Sequence, residues 1–236
     1  MTAIYGWVAL VQGEAIMKNA RAVSIALACM IGGCATSVET ISVNNAGMSA
    51  YQNRTLVAVT QAAPGMTPMR ASSAAFGAIG GLAMASAARN YASEHGVVDP
   101  ATHIETQLTA LLQSRYGIQT VGDRLDMSAV TERTDYPINS DLLYVDAKTY
   151  MWMQRYFSSN WGRFRIDYST LIQIIDGATG RAVAQYDCRK FMPETPDDAP
   201  TLEELEANNG ALMNQMLMRM ADECLAEFAA TSLPAS

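Results

Sequence analysis

The order of patterns along this 236-residue chain predicts an α+β fold, a mainly antiparallel sheet with helices packed on one face. Three observations lead there. Residues 142–188 hold three stretches that alternate apolar and polar side chains, separated by turn chemistry, as hairpin-connected strands do. Two other stretches, 99–117 and 201–228, carry apolar residues at helical spacing. Helices and strands are grouped rather than alternating one for one, which argues for segregated layers.

The chain begins with a leader. Residues 1–16 (MTAIYGWVALVQGEAI) carry no positive charge and include Glu14, so translation is expected to start at Met17. From there Lys18 and Arg21 form a basic start. Val23–Ile31 is an uncharged apolar run too short to span a bilayer, and small Gly32 and Gly33 precede Cys34. The order Ile31-Gly32-Gly33-Cys34 resembles the lipobox of bacterial lipoprotein precursors. The resemblance implies that Cys34 is lipidated, that a signal peptidase cuts before it, and that residues 17–33 are a signal peptide. An ordinary signal peptide, or an internal apolar helix, is the other reading. Ala35, where Asp favours inner-membrane retention in that family, implies the outer membrane, with the protein facing the periplasm. Residues 34–53, polar and small after the lipid site, are expected to be a tether. Residues 54–231 are then one periplasmic α+β domain.

Within that domain the elements follow in order. RTLVAVTQ (54–61) alternates and is β-branched, so it predicts a first strand ended by Pro64, Gly65 and Pro68. Residues 72–88 are uncharged and rich in small side chains. Gly77 and Gly81 lie one helical turn apart, a spacing that suits close approach of a second copy, so a homo-oligomer through this segment is one possibility. Arg70 and Arg89 close the run on both sides with no longer flank of leucine or isoleucine, which argues against a membrane span. A close-packed helix or glycine-rich loop is expected, with Phe76, Ile79 and Leu82 facing the domain or a neighbouring subunit. Asp99-Pro100 is a helix start and Gly117 a helix end, with Ile104, Leu108, Leu111 and Leu112 on one face. A short strand is expected at 118–121. Leu143, Val145, Ala147 and Met151 share one strand face, and Phe164, Ile166, Tyr168, Ile172 and Ile174 share that of the next. Residues 176–180 make the turn to a returning strand, 181–188. Thr201 and Glu204 have capping-box spacing for a last helix, which Asn208-Asn209-Gly210 interrupts.

Beyond Cys34 there are 14 Lys or Arg and 22 Asp or Glu, so 14 − 22 = −8. That charge disfavours nucleic acid as a partner and supplies no polybasic patch for anionic lipids, leaving the lipid on Cys34 as the membrane attachment. Of the four cysteines, Cys29 falls in the leader and Cys34 is the lipid site. Cys188 and Cys224 remain, and in an oxidising compartment they are expected to pair, two separate buried thiols being the alternative. No Cys/His spacing suits a metal, His95 and His103 stand outside any catalytic pattern, and no phosphate loop or nucleophile elbow occurs. No cofactor, no metal and no catalytic residue is therefore assigned.

Aromatic and arginine side chains crowd residues 150–168. Trp152, Arg155, Tyr156 and Trp161 are expected to be partly exposed and to form a partner surface, the alternative being that half of them fill the core. The stretch 141–188 is similar to the central part of envelope lipoproteins in which a strand, an aromatic loop, a long strand, an Asp/Gly turn and a strand ending in cysteine follow one another. More distantly, the order of elements resembles the periplasmic domains of curli-export-type lipoproteins. These resemblances imply fold and compartment and carry no catalytic residues. The expected function is a non-enzymatic binding or scaffold module in envelope assembly or transport, its partner a protein or an envelope polymer. The alternatives are an oligomeric outer-membrane secretion or conjugation component and, third, an envelope hydrolase.

Overall fold

Strands β5 (Leu142–Phe157), β6 (Asn160–Asp176) and β7 (Arg181–Met192) form an antiparallel meander at the centre of the molecule. The computed structural model describes residues 38–70, 77–129 and 136–233. Cys34, the expected leader and Phe76 therefore lie outside the described residues.

The turn after β6 shows why its sequence is Asp-Gly-Ala-Thr-Gly. Asp176 accepts the Ala178 amide at 2.9 Å, and Gly180 sits at φ +66°. Gly177 leaves no room for a side chain, since a Cβ there would lie 2.3 Å from the Asn139 carbonyl oxygen.

The fold is α+β as expected, but the sheet is mixed, so the expectation of a mainly antiparallel sheet holds only in part. Strand β1 (Thr55–Thr60) and the short β2 (Thr67–Met69) both run parallel to β5. Strands β3 (Thr120–Val121) and β4 (Leu125–Asp126) run parallel to β1, giving the order β3-β1-β5-β6-β7. The physical reason is the connection. A parallel neighbour needs a long crossover, which helices α2 (Gly77–Glu94) and α3 (Ala101–Tyr116) supply between β2 and β3.

Helix α3 and the last helix, α4 (Leu202–Thr231), bury their apolar faces in one cluster with the sheet. Ile104, Leu108 and Leu112 from α3 join Met213, Leu217, Met220 and Phe228 from α4 against Leu143, Val145, Ile166 and Ile172. On the opposite face a smaller cluster of Val57, Val59, Tyr144 and Ile175 is covered by Met127 and Tyr136. Asp99 accepts the Ala101 amide at 3.1 Å, and Gly117 ends α3 in the left-handed conformation. Thr201 and Glu204 form the reciprocal capping box of α4. Asn208, Asn209 and Gly210 are all left-handed and kink that helix after its first turns.

Residues 38–53, expected as part of a tether, instead dock on the domain. Ile41 pairs with Gln185 on the edge of β7, the Val43 amide donates to the Ser232 carbonyl, and Met48 of α1 (Asn45–Ser49) is fully buried.

Candidate functional site

The crowded aromatic region divides into a buried part and an exposed part, and a β-bulge does the dividing. Thr149 pairs with Thr170 and Met151 with Ser169, so Tyr150 is the extra residue. An extra residue reverses the alternation beyond it. Leu143, Val145 and Ala147 face the helices as expected, but Met151 turns away and Trp152 turns in. Trp152 is 4% exposed, and its indole N–H donates to the Pro64 carbonyl at 2.7 Å. Trp152 is thus a core residue and its assignment to a partner surface is corrected.

Arg155, Tyr156 and Trp161 lie at the far end of the β5–β6 hairpin. Trp161 is 67% exposed and meets Tyr156 edge-on, with ring centroids 6.4 Å apart. Arg155 and Arg165 are direct cross-strand partners and share one carboxylate. Asp167 lies 2.8 Å from Arg155 Nη2 and 3.0 Å from Arg165 Nε. Burial raises the Asp167 pKa, and the Arg155 guanidinium beside it pulls the other way. The Arg165 guanidinium stands 4.6 Å from the Phe191 ring centroid and 5.7 Å from that of Phe157. An open cleft of about 280 Å³ lies here, lined by Met69, Arg155, Tyr156, Phe157, Ser158 and Arg165. Met69 and Phe191 join this end only through strand pairing, so linear sequence did not mark them. Arg163 is directed elsewhere, donating to the Ala199 carbonyl at 2.8 Å.

A second group of polar side chains is buried where the side of β5 away from β6 lacks a strand partner. Pairing to β1 ends at Asp146 and pairing to β2 begins at Met153. In the gap the Glu105 carboxylate accepts the Ala147 amide at 3.3 Å and pairs with Arg124. Asp99 accepts the Thr149 hydroxyl at 2.6 Å, and Thr149 lies 3.2 Å from the Tyr168 hydroxyl. Asp146 accepts from Gln61 at 3.1 Å and Tyr136 at 2.5 Å. Glu105 here takes over one backbone hydrogen bond that a neighbouring strand would have made.

Burial pushes the Glu105 carboxyl up to about 8, against the pull of Arg124 and with Asp146 adding to the rise. A carboxyl whose pKa is higher folded than unfolded favours folding while protonated, and that advantage is lost as pH rises towards the folded value. Between about pH 5 and about pH 8, Glu105 should therefore make stability fall with rising pH. Urea unfolding of Glu105→Gln should show a flatter pH dependence than the parent. An equal slope in both proteins would rule this role out.

Cys188 on β7 and Cys224 on α4 are joined, with Cα atoms 5.6 Å apart and both residues fully buried. His103 Nε2 lies 2.7 Å from Asp222, and His95 stacks on Tyr91 at 4.5 Å and approaches Glu206 at 3.7 Å. Gly77 and Gly81 occupy the first turns of α2. Among the described residues no three His, Cys, Asp or Glu side chains are grouped to hold a metal ion, and no helix is long and apolar enough to cross a membrane. A scan against protein-family models and a search of the curated proteins find no match to this chain.

Proposed function

We propose that this chain is a lipid-anchored cell-envelope protein, attached through Cys34 at the outer membrane, whose periplasmic domain is a non-enzymatic binding or scaffold module. The observation that carries the binding role is the hairpin end, where Phe191, 50% exposed, stands 4.6 Å from the Arg165 guanidinium and Trp161, 67% exposed, meets Tyr156 edge-on. Large exposed aromatics grouped with arginine have the composition of contact surfaces. The export half of the reading rests on Ile31-Gly32-Gly33-Cys34, and a Cys188–Cys224 bridge is in keeping with an oxidising compartment.

Replacing Cys34 with Ser should abolish lipid attachment and leave uncut precursor in the inner-membrane fraction. A gene starting at Met17 should give the same mature protein as the full reading frame. Metabolic labelling with a fatty acid, followed by membrane fractionation, measures both. Normal maturation of Cys34→Ser would remove the anchoring role.

A further inference from the structure

The hairpin end carries an electrostatic imbalance that points to the chemistry of its partner. Arg155 and Arg165 face each other across β5 and β6, and like charges placed directly opposite repel. Asp167 offsets only one of the two charges. Its oxygens engage Arg155 Nη2 and Arg165 Nε, which leaves further N–H donors on both guanidinium groups. Arg165 is held between Phe157 and Phe191, so its donor array is oriented before any ligand arrives. The domain as a whole is acidic, so this local surplus of positive charge is a departure from its surroundings.

We propose that the cleft docks an acidic segment of a protein partner, with a partner carboxylate lying against Arg155 and Arg165 and neighbouring apolar side chains lying on Phe191, Met69 and Phe157. The inference rests on the hairpin end being the partner surface. Apolar walls beside the arginines favour a peptide over a free phosphate or a lipid headgroup, neither of which uses them. Besides the arginines, the lining offers only the hydroxyls of Ser158 and Tyr156, too few for a sugar polymer rich in hydroxyl groups.

The test is titration of the full chain, in mild detergent, with a fluorescein-labelled peptide of alternating glutamate and phenylalanine, and with its glutamine counterpart. The glutamate peptide should bind at least about tenfold more tightly, and added salt should weaken it, because charge-assisted hydrogen bonds to arginine are at stake. Arg165→Gln should erase that preference. Asp167→Asn should strengthen binding several-fold, since it removes the internal competitor for both guanidinium groups, an effect that a merely structural carboxylate would not produce. Phe191→Ala, at an exposed position beside Arg165, should weaken binding without disturbing the fold and serves if Asp167→Asn does not fold. Equal binding of the two peptides overturns the proposal. So does displacement of the peptide by an equal concentration of inorganic phosphate, or Arg165-dependent capture by phosphatidylglycerol vesicles. If a photocrosslinker at position 161 captures a partner in cells while the acidic peptide fails to bind, the acidic-segment chemistry is wrong and the partner surface stands.

Discussion

Loss of the Cys188–Cys224 bridge should cost about 4 kcal/mol of folding stability. The two cysteines are 36 residues apart, and closing a loop of that length in the unfolded chain removes entropy worth about 4 kcal/mol in the chain-entropy account. For a domain of this size each kcal/mol shifts the melting temperature by roughly 2–4 °C, so Cys224→Ala should melt roughly 8–16 °C below the parent. Both residues are fully buried, between β7 and α4. Reductant should therefore act on the parent slowly under native conditions and rapidly once denaturant opens the domain. Equilibrium unfolding with and without reductant measures the difference. A parent protein that loses its bridge without a change in denaturation midpoint would show that the cross-link contributes nothing.

Trp152→Ala and Trp161→Ala should differ by several kcal/mol, although nine residues separate them on one hairpin. Trp152 is 4% exposed and its indole N–H is satisfied by Pro64. Truncating so large a buried ring leaves a cavity and an unpaired carbonyl, and such changes cost about 3–5 kcal/mol. Trp161 is 67% exposed, and its truncation should change stability by at most about 0.5 kcal/mol. Partner binding should move the other way: weakened by Trp161→Ala, and retained by whatever fraction of Trp152→Ala folds. Calorimetry on both variants decides the first half. Equal destabilisation by the two would show that the hairpin end is packed like the interior.

Much of the architecture was legible because it depends on local pattern. The alternation in 164–174, the Asp-Gly turn at 176 and 177, the α3 boundaries and the Thr201–Glu204 box are all satisfied by residues within a few positions of one another. The left-handed run at 208–210 was marked by Asn-Asn-Gly, the residues that tolerate positive φ. Cys188 and Cys224 were expected to pair because no other cysteine remained beyond Cys34.

What stayed hidden depends on which segments meet. A hairpin announces itself by its turn, but the parallel pairing of β1 and β2 to β5 leaves no local trace. Glu105 lies on a helix with polar neighbours and looks solvent-facing, yet it is 1% exposed and accepts the Ala147 amide on the side of β5 that is not paired to β6. The cleft at the hairpin end draws Met69, Arg155 and Arg165 from three strands.

By itself, then, the sequence determined the long strands and the two amphipathic helices, the turns and caps, the choice of cysteines and the aromatic–arginine composition of one region. Only the tertiary structure decided the sheet's parallel half, the inward turn of Trp152 and the sharing of Asp167 between two arginines. The reason is that one extra residue at Tyr150 reverses a strand's faces, and nothing in the local pattern shows an insertion until the partner strand supplies the register against which it is counted.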